Sequence, residues 1–335
     1  MAVGSGLGSS FGIAEEPVWG TAGTPARFYP SDSVNVKLMK KPVQGQGLQA
    51  STFVNQGSLR ADTAYWAAGD AQVDFTSKQM GLLFKHALGS ATIAQLTASA
   101  AWQQTWAFGN AVNGLGLTLQ YGAPQANGTV TPYTISGCKI DQWNISCAAQ
   151  DIVKSKFTFI GQNVTTATAL ATPSYPTGNN VFYFKQGTVN VGGSPYLGFR
   201  DFTLSGNNNL DAGRFYFGNN GLLAEPIRNN FAGITIAGTV DFIDTTISAA
   251  YAADTELSIT LVFGGVGASS KKIVTGPPDY YETFTVTLNG VRVNGDVPTI
   301  AGPGLLNIPF SADVVTPIGG GSPISISYTS LDIAI

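Results

Sequence analysis

Val73-Asp74-Phe75 returns 167 residues later as Val240-Asp241-Phe242 (240 − 73). Without a gap, the same offset carries Met80, Leu83 and Phe84 onto Ile247, Ala250 and Tyr251. Further on, Y-T-I-S-G-C-K-I (Tyr133 to Ile140) matches V-T-L-N-G-V-R-V (Val286 to Val293) at an offset of 286 − 133 = 153, which also carries Phe157 onto Phe310 and Ile152 onto Leu305. The difference, 167 − 153 = 14 residues, fits one longer loop in the first copy. This period is far too long for a solenoid, so the repeat implies two tandem domains of one architecture.

Working outward from the repeated stretch, Gly69 to Phe75 has the character of a strand, and a helix follows it. Thr76 and Gln79 form a T-x-x-Q capping box. Met80, Leu83, Phe84, Ala87 and Leu88 line one apolar stripe, and Gly89 is the expected stop. Ile247, Ala250 and Tyr251 make the corresponding stripe in the second copy, on a helix capped by Asp244 or Thr245. Upstream, Val34, Val36 and Leu38 alternate with polar neighbours, the period-2 pattern of a strand, and Phe202 and Leu204 take their place in the second copy. Residues 40–68 show no sustained period and are too long for an idle connection. The Asn- and Gly-rich residues 206–230 are their counterpart. The remaining segments read as short strands. The expected fold is therefore mainly β: two tandem antiparallel β-sandwich or barrel domains, each with one flanking helix. The boundaries are an extended N-terminal arm over 1–24, copy 1 over 25–164, a Thr/Ala/Pro/Gly linker over 165–180 and copy 2 over 181–335.

Composition limits the function. Only 11% of residues are charged and the net charge is −3, so nothing marks a nucleic-acid footprint, while 44% hydrophobic content argues against disorder. So little charge suits a surface largely covered by neighbours, hence an assembled protein. The sequence shows no secretory signal and no apolar run of membrane-spanning length. Two cysteines, Cys138 and Cys147, make no disulfide framework and read as buried thiols, with a hairpin disulfide as the lesser alternative.

Chemical constellations are weak. His86, the single histidine, lies off the apolar stripe and reads as a surface or interface residue, since one imidazole builds no zinc site by itself. Asp70 with Asp74, and Asp241 with Asp244, have the spacing of paired carboxylates, but one of each set abuts a helix start, where Asp caps. Gly264-Gly265-Val266-Gly267 before Lys271-Lys272 lacks phosphate-loop spacing and reads as a hairpin. No cofactor is expected.

Four stretches resemble the tail tube protein of long, non-contractile-tailed bacteriophages, of the actinobacteriophage type. They are G-S-G-L-G-S-S-F-G-I-A-E-E-P-V-W-G-T (Gly4 to Thr21) with R-F-Y-P (Arg27 to Pro30); G-D-A-Q-V-D-F-T-S-K-Q-M-G-L-L-F-K-H-A-L-G-S (Gly69 to Ser90); F-T-L-S-G-N-N-N-L (Phe202 to Leu210); and R-F-Y-F-G-N-N-G-L-L-A-E-P (Arg214 to Pro226). The resemblance covers nearly the whole chain. It implies a structural virion protein of the tail, assembled in the host cytoplasm, with no catalysis. Its rings would stack into a hollow tube, four strands per domain joining a continuous inner barrel around a lumen through which DNA passes unbound. The long loops would reach the neighbouring ring, which makes Gln44, Gln46, Gln49, Phe53 and Arg60 in the first copy, and Asn207, Asn208 and Arg214 in the second, candidate inter-ring residues. The helix Lys78 to Leu88 would lie outside the barrel. The implied partners are other copies of the chain, a tape measure protein, and tail terminator and distal tail proteins, with no membrane insertion. Duplication departs from the usual six single-domain subunits and implies three chains per ring with pseudo-sixfold symmetry. A weakly acidic lumen would let DNA slide, and Lys37 points either into it or into an intersubunit salt bridge.

Two rivals remain from the residues alone. One is a tandem β-sandwich carbohydrate-binding or adhesin protein that stacks sugars on Trp66, Trp102, Trp106 and Trp143. The other is a glycosidase using the Asp pairs.

Overall fold

The computed structural model describes residues 3–97, 99–109, 113–265, 270–274, 278–295, 298, 300, 302–333 and 335. Its first half contains β1 (Phe11–Glu16), β2 (Arg27–Tyr29), β3 (Ser31–Val34), β4 (Lys37–Gln44), β5 (Arg60–Asp74), α1 (Gly81–Leu88), β6 (Thr92–Gln95), β7 (Trp102–Ala107), β8 (Gly116–Pro124), β9 (Val130–Cys147), β10 (Lys154–Gly161) and β11 (Asn163–Thr165). Its second half contains β12 (Gly187–Val191), β13 (Ser194–Pro195), β14 (Phe202–Asn207), β15 (Gly233–Asp241), α2 (Thr246–Ala252), β16 (Leu257–Gly264), β17 (Lys272–Val274), β18 (Tyr280–Tyr281), β19 (Thr283–Val293), β20 (Asn307–Val314) and β21 (Ile324–Ser330). The chain is mainly β, and among the described residues the strand ladders are antiparallel, with one isolated parallel bridge between Tyr65 and Leu222.

Strand registers recur at fixed offsets. Phe157 faces Ala71 and Phe310 faces Gly238. Those pairs differ by 310 − 157 = 153 and 238 − 71 = 167, the offsets legible in the sequence. Leu117 faces Cys138 while Leu257 faces Val291, which adds an offset of 257 − 117 = 140 for β8 and β16. Ile13 faces Leu119 while Val191 faces Ile259, so β1 and β12 differ by 191 − 13 = 178.

These registers correct the expectation of one longer loop. The first half has 167 − 140 = 27 extra residues between α1 and β8, spent on the β6–β7 hairpin. The second half has 153 − 140 = 13 extra between β16 and β19, spent on the β17–β18 hairpin. Only the net is 14. The β6–β7 hairpin leaves its own half and pairs with β21, Trp106 facing Ile326.

The N-terminal segment is also not a free arm. Residues 11–16 form β1, which pairs with both β2 and β8 and buries Phe11 and Ile13 completely. An apolar residue at each end of F-G-I, inside a Gly/Ser-rich segment, was the available signal.

The helix over the V-D-F motif starts later than its capping box implies. Gln79 has a left-handed φ of 68°, which helical backbone cannot accept, so α1 begins at Gly81 after Met80. Thr76 donates to Lys78 O instead, and the Gln79 N–H is taken by Asp332 Oδ2 at 2.7 Å. At the other end Gly89, at φ 93°, donates to Lys85 O, the expected stop. Met80, Leu83 and Phe84 are completely buried. Ile247 and Ala250 are buried on α2, whereas Tyr251 is 45% exposed and no part of the core. Lying one position after Ala250, it sits about 100° around the helix from it.

His86 is buried, not a surface residue: α1 packs against β9 and β7, and Glu15 of β1 meets the His86 ring. Its Nε2 lies 2.8 Å from Glu15 Oε1, and Lys85 Nζ lies 2.7 Å from the same oxygen. The hydrogen bond from His86, with Lys85 adding to it, lowers the Glu15 carboxyl to about 2 against the opposing effect of burial. Burial pushes His86 below its ordinary value despite the Glu15 bond. Both shifts make acid destabilising. Because the folded-state value of His86 lies below 6.5, the unfolded chain takes up that proton first, so stability falls as pH drops below about 6.5. Glu15 contributes stability above its ordinary 4.5, lost as pH falls from there toward 2. The melting temperature should therefore decline from pH 7 to 5 and again below 4.5, and Glu15→Gln should flatten the lower limb in a thermal-shift series.

Candidate assembly surfaces

Eight strands share one sheet in the order β4, β5, β10, β9, β14, β15, β20, β19. The C-terminal part of β9 pairs with β14, Trp143 facing Gly206 and Ile145 facing Leu204, so the sheet passes from one half of the chain into the other unbroken. A Cβ on Gly206 would lie 2.1 Å from the Trp143 ring, so the indole occupies the space that any side chain there would need.

The two faces of this sheet differ in chemistry because β-strands alternate. One face is core: Ala71, Phe157, Trp143, Leu204, Ile236 and Ala312 are buried. The other face is open and hydrophilic. One row crosses it from Gln72 through Lys156, Asn144, Ser205 and Thr235 to Asp313 and Arg292. The next runs from Asp74 through Lys154, Ser146, Thr203 and Ala237 to Ser311. Lys37 lies on this face too, opposite Ala68. Among the described residues the face carries Asp70, Asp74, Asp241 and Asp313 alongside Lys37, Lys41, Lys154, Lys156 and Arg292, so it bears charges of both signs rather than a net acidic surface. Its charges are largely paired: Lys156 Nζ lies 3.3 Å from Asp70, Lys154 Nζ 2.8 Å from Asp32 at the rim, and Arg200 Nε 2.7 Å from Asp241.

Residues 40–68 are not a structureless loop. They form a hairpin, β4 running to Gln44 and β5 starting at Arg60, with a long tip between them. The missing periodicity has a physical cause: beyond Ala64 both faces of the hairpin leave the core, so neither selects apolar residues. The tip, residues 45–59, is exposed, with Leu48 and Val54 bare and Phe53 97% accessible. Gln46 and Arg60 are exposed beside it. Gln44 turns inward, its Nε2 donating to Gln56 O at 2.8 Å, and Gln49 accepts from Gln56, so these two brace the tip.

Residues 206–230 fold back on the base of that hairpin. Tyr65 N donates to Gly221 O at 3.0 Å, and the Phe215 ring meets Trp66 edge-on at 5.9 Å. The two segments that the repeat makes counterparts are thus brought together at one rim. Arg214 is half-buried and donates to Glu225 O, while Asn207 sits in the sheet opposite Gln142. Asn208 is not available to a neighbour. It is buried, donating to Ala87 O at 2.9 Å and Ile140 O at 3.0 Å and accepting from Arg228. Tyr216, Phe217 and Ile227 in this segment, and Phe231 just after it, are exposed apolar residues.

The family model described as phage tail tube protein matches residues 6–327. The chain belongs to the phage tail tube family. No curated protein matches it. Membership makes it a structural component of the virion tail that self-assembles into a tube.

The chemical rivals fit this tail tube protein poorly. Trp106 and Trp143 are core residues, and Trp66 is engaged by Phe215, so a sugar platform of four indoles does not form. Asp70 is paired with Lys156, and Asp74, whose carboxyl is raised by burial, lies opposite Lys154 on an open sheet without an enclosing cleft. Both cysteines are free and buried. Among the described residues no three or more His, Cys, Asp or Glu side chains gather to hold a metal, and no helix is long and apolar enough to cross a membrane. Val266 and Gly267 of the glycine-rich segment lie outside the described residues.

Proposed function

We propose that the chain is two tail-tube domains in tandem, that three chains close a ring of six positions, and that stacked rings form the conduit for genome ejection. The observation that carries this reading is the eight-strand sheet with its unbroken hydrophilic face. A surface of Ser, Thr, Asn and Gln on which Lys154, Lys156 and Arg292 are ion-paired offers DNA phosphates few free cations among the described residues, so a passing duplex gains little from contact. The recurring registers support tandem domains, each contributing four strands and one helix. Domain 1 then begins with β1 rather than at residue 25, and residues 166–180 connect the two. A sheet ending in an unpaired β4 edge is an aggregation hazard unless neighbours complete it, and ring closure removes both ends. In this reading the β4–β5 hairpin tip reaches the next ring, and tape measure, terminator and distal tail proteins meet the tube inside and at its ends.

Electron cryomicroscopy of tubes formed by the purified chain tests it. Threefold rings with a central channel lined by the Lys156–Asn144–Ser205 row are expected. Six chains per ring, or a channel lined by another face, would overturn it.

A further inference from the structure

The joint between the two halves is built from a donor end and a receiver end. The donor is the first half's V-D-F stretch and the turn before β10. The receiver is the segment leading into β12. Phe182 is clamped between them: its N–H donates to Phe75 O at 3.2 Å, and its carbonyl accepts from Val153 N at 2.8 Å. Thr76 bridges Val181 and Ile152 bridges Tyr183. The Phe75 ring then packs against Phe284 at 3.9 Å and Phe182 at 5.8 Å.

Each end has an unmatched counterpart at the far side of the chain. Phe242 stands for Phe75 (75 + 167), and its N–H is held by Leu306 O at 2.9 Å as Phe75 N–H is held by Val153 O at 2.8 Å. Beside it Ile243 (76 + 167) is 55% exposed and Leu305 (152 + 153) is 82% exposed. The receiver's counterpart is the N-terminal segment at offset 178. A turn closed by Ser9 N to Gly6 O at 3.1 Å reproduces the one closed by Gly187 N to Phe184 O, since 187 − 9 and 184 − 6 are both 178. Val3, Gly4 and Ser5 therefore stand where Val181, Phe182 and Tyr183 stand in the joint.

The sizes are complementary. The receiver's Phe182 and Phe263 become Gly4 (182 − 178) and Ala123 (263 − 140), and Phe202 becomes Val34, because Asn35 bonds Asp70 as Thr203 pairs with Ala237 (203 − 35 = 168). These small residues leave an open cleft of about 490 Å3, also lined by Ser10, Tyr121 and Pro124. On the donor side Thr76 becomes the larger Ile243. A cleft of small residues at one end and an exposed aliphatic knob at the other make a head-to-tail contact.

We propose that a second copy of this chain docks here, Phe242, Ile243 and Leu305 of one chain seating in the Gly4–Val34–Ala123 cleft of the next and repeating the internal joint. This rests on the ring reading above and specifies the surface that closes the ring. By correspondence with the Thr76–Val181 and Ile152–Tyr183 bridges, Ile243 meets Val3 and Leu305 meets Ser5 across chains. A Ser5→Cys/Leu305→Cys double variant, assembled and then oxidised, should give covalent dimers and trimers on non-reducing gels in most chains, and neither single variant should. The buried Cys138 and Cys147 are not positioned to compete. Ile243→Asp should abolish rings while melting like the parent monomer, since the side chain is exposed. If the parent protein forms rings but the cysteine pair stays unlinked in them, or if Ile243→Asp still closes rings, this joint is wrong and the ring reading stands. If the parent forms no rings at all, the ring reading fails and takes the joint with it.

Discussion

Phe75→Ala should destabilise the folded chain by about 3–5 kcal/mol, the usual cost of deleting a buried aromatic side chain. Phe75 is completely buried at the centre of a seam that ignores the boundary between the halves. Its ring lies 5.4 Å from Phe84 on α1, 5.8 Å from Phe182 and 3.9 Å from Phe284 on β19. Phe84 extends the seam to Trp106 at 5.5 Å, and Trp106 to Tyr328 at 5.0 Å. Neighbours from both halves cannot collapse into the void without opening the joint, which places the cost high in the range. Denaturant titration followed by tryptophan fluorescence should show the midpoint moving to lower concentration. The parent should unfold in a single transition and the variant in one or two, depending on whether the halves still unfold together. An unchanged midpoint would show that the seam does not hold the halves.

The repeat was legible because buried positions are under the same packing demand in both halves. Val73 and Val240 are both buried, as are Leu83 and Ala250 on the two helices. What escaped the sequence was whatever depends on a distant partner. β1 reads as an arm in the sequence because its strand character is spread over only six residues, and its reason for being a strand, the edge of β8, lies about a hundred positions downstream. His86 looked peripheral because its partner Glu15 sits on that same unrecognised strand. Asn208 looked like a loop residue because a polar Asn-rich run gives no sign that one amide will cap the end of α1 through Ala87 O. The two hairpin insertions were hidden by partial cancellation, since a net offset reports only their difference. The tip residues are candidates only through the resemblance, and exposure separates Phe53 and Gln46 from the bracing Gln44 and Gln49.

Shortening the β4–β5 hairpin should produce rings that do not become tubes. The neck of the tip is closed by Gly45 N donating to Leu59 O at 2.8 Å, so residues 46–58 can be replaced by Asn-Gly with both strands intact. The folded core has little to lose, because every residue removed is exposed except the half-buried Gln56. The apolar cost falls on assembly instead. Leu48, Phe53 and Val54 would each contribute about 1.5–3 kcal/mol if a neighbouring ring buried them fully. Each ring closes several such contacts at once, so removing them multiplies the loss per stacking event, and the expected effect is on whether tubes exist rather than on their length. Sedimentation should give a species of ring size with the parent's melting temperature, and negative-stain images should show annuli without tubes. Phe53→Asp should act in the same direction with a smaller loss, shifting the concentration at which tubes appear. Tubes of normal abundance from the shortened chain would remove the hairpin from the stacking contact and leave the exposed Tyr216 and Phe217 of the second segment, and Phe231 just after it, to carry it.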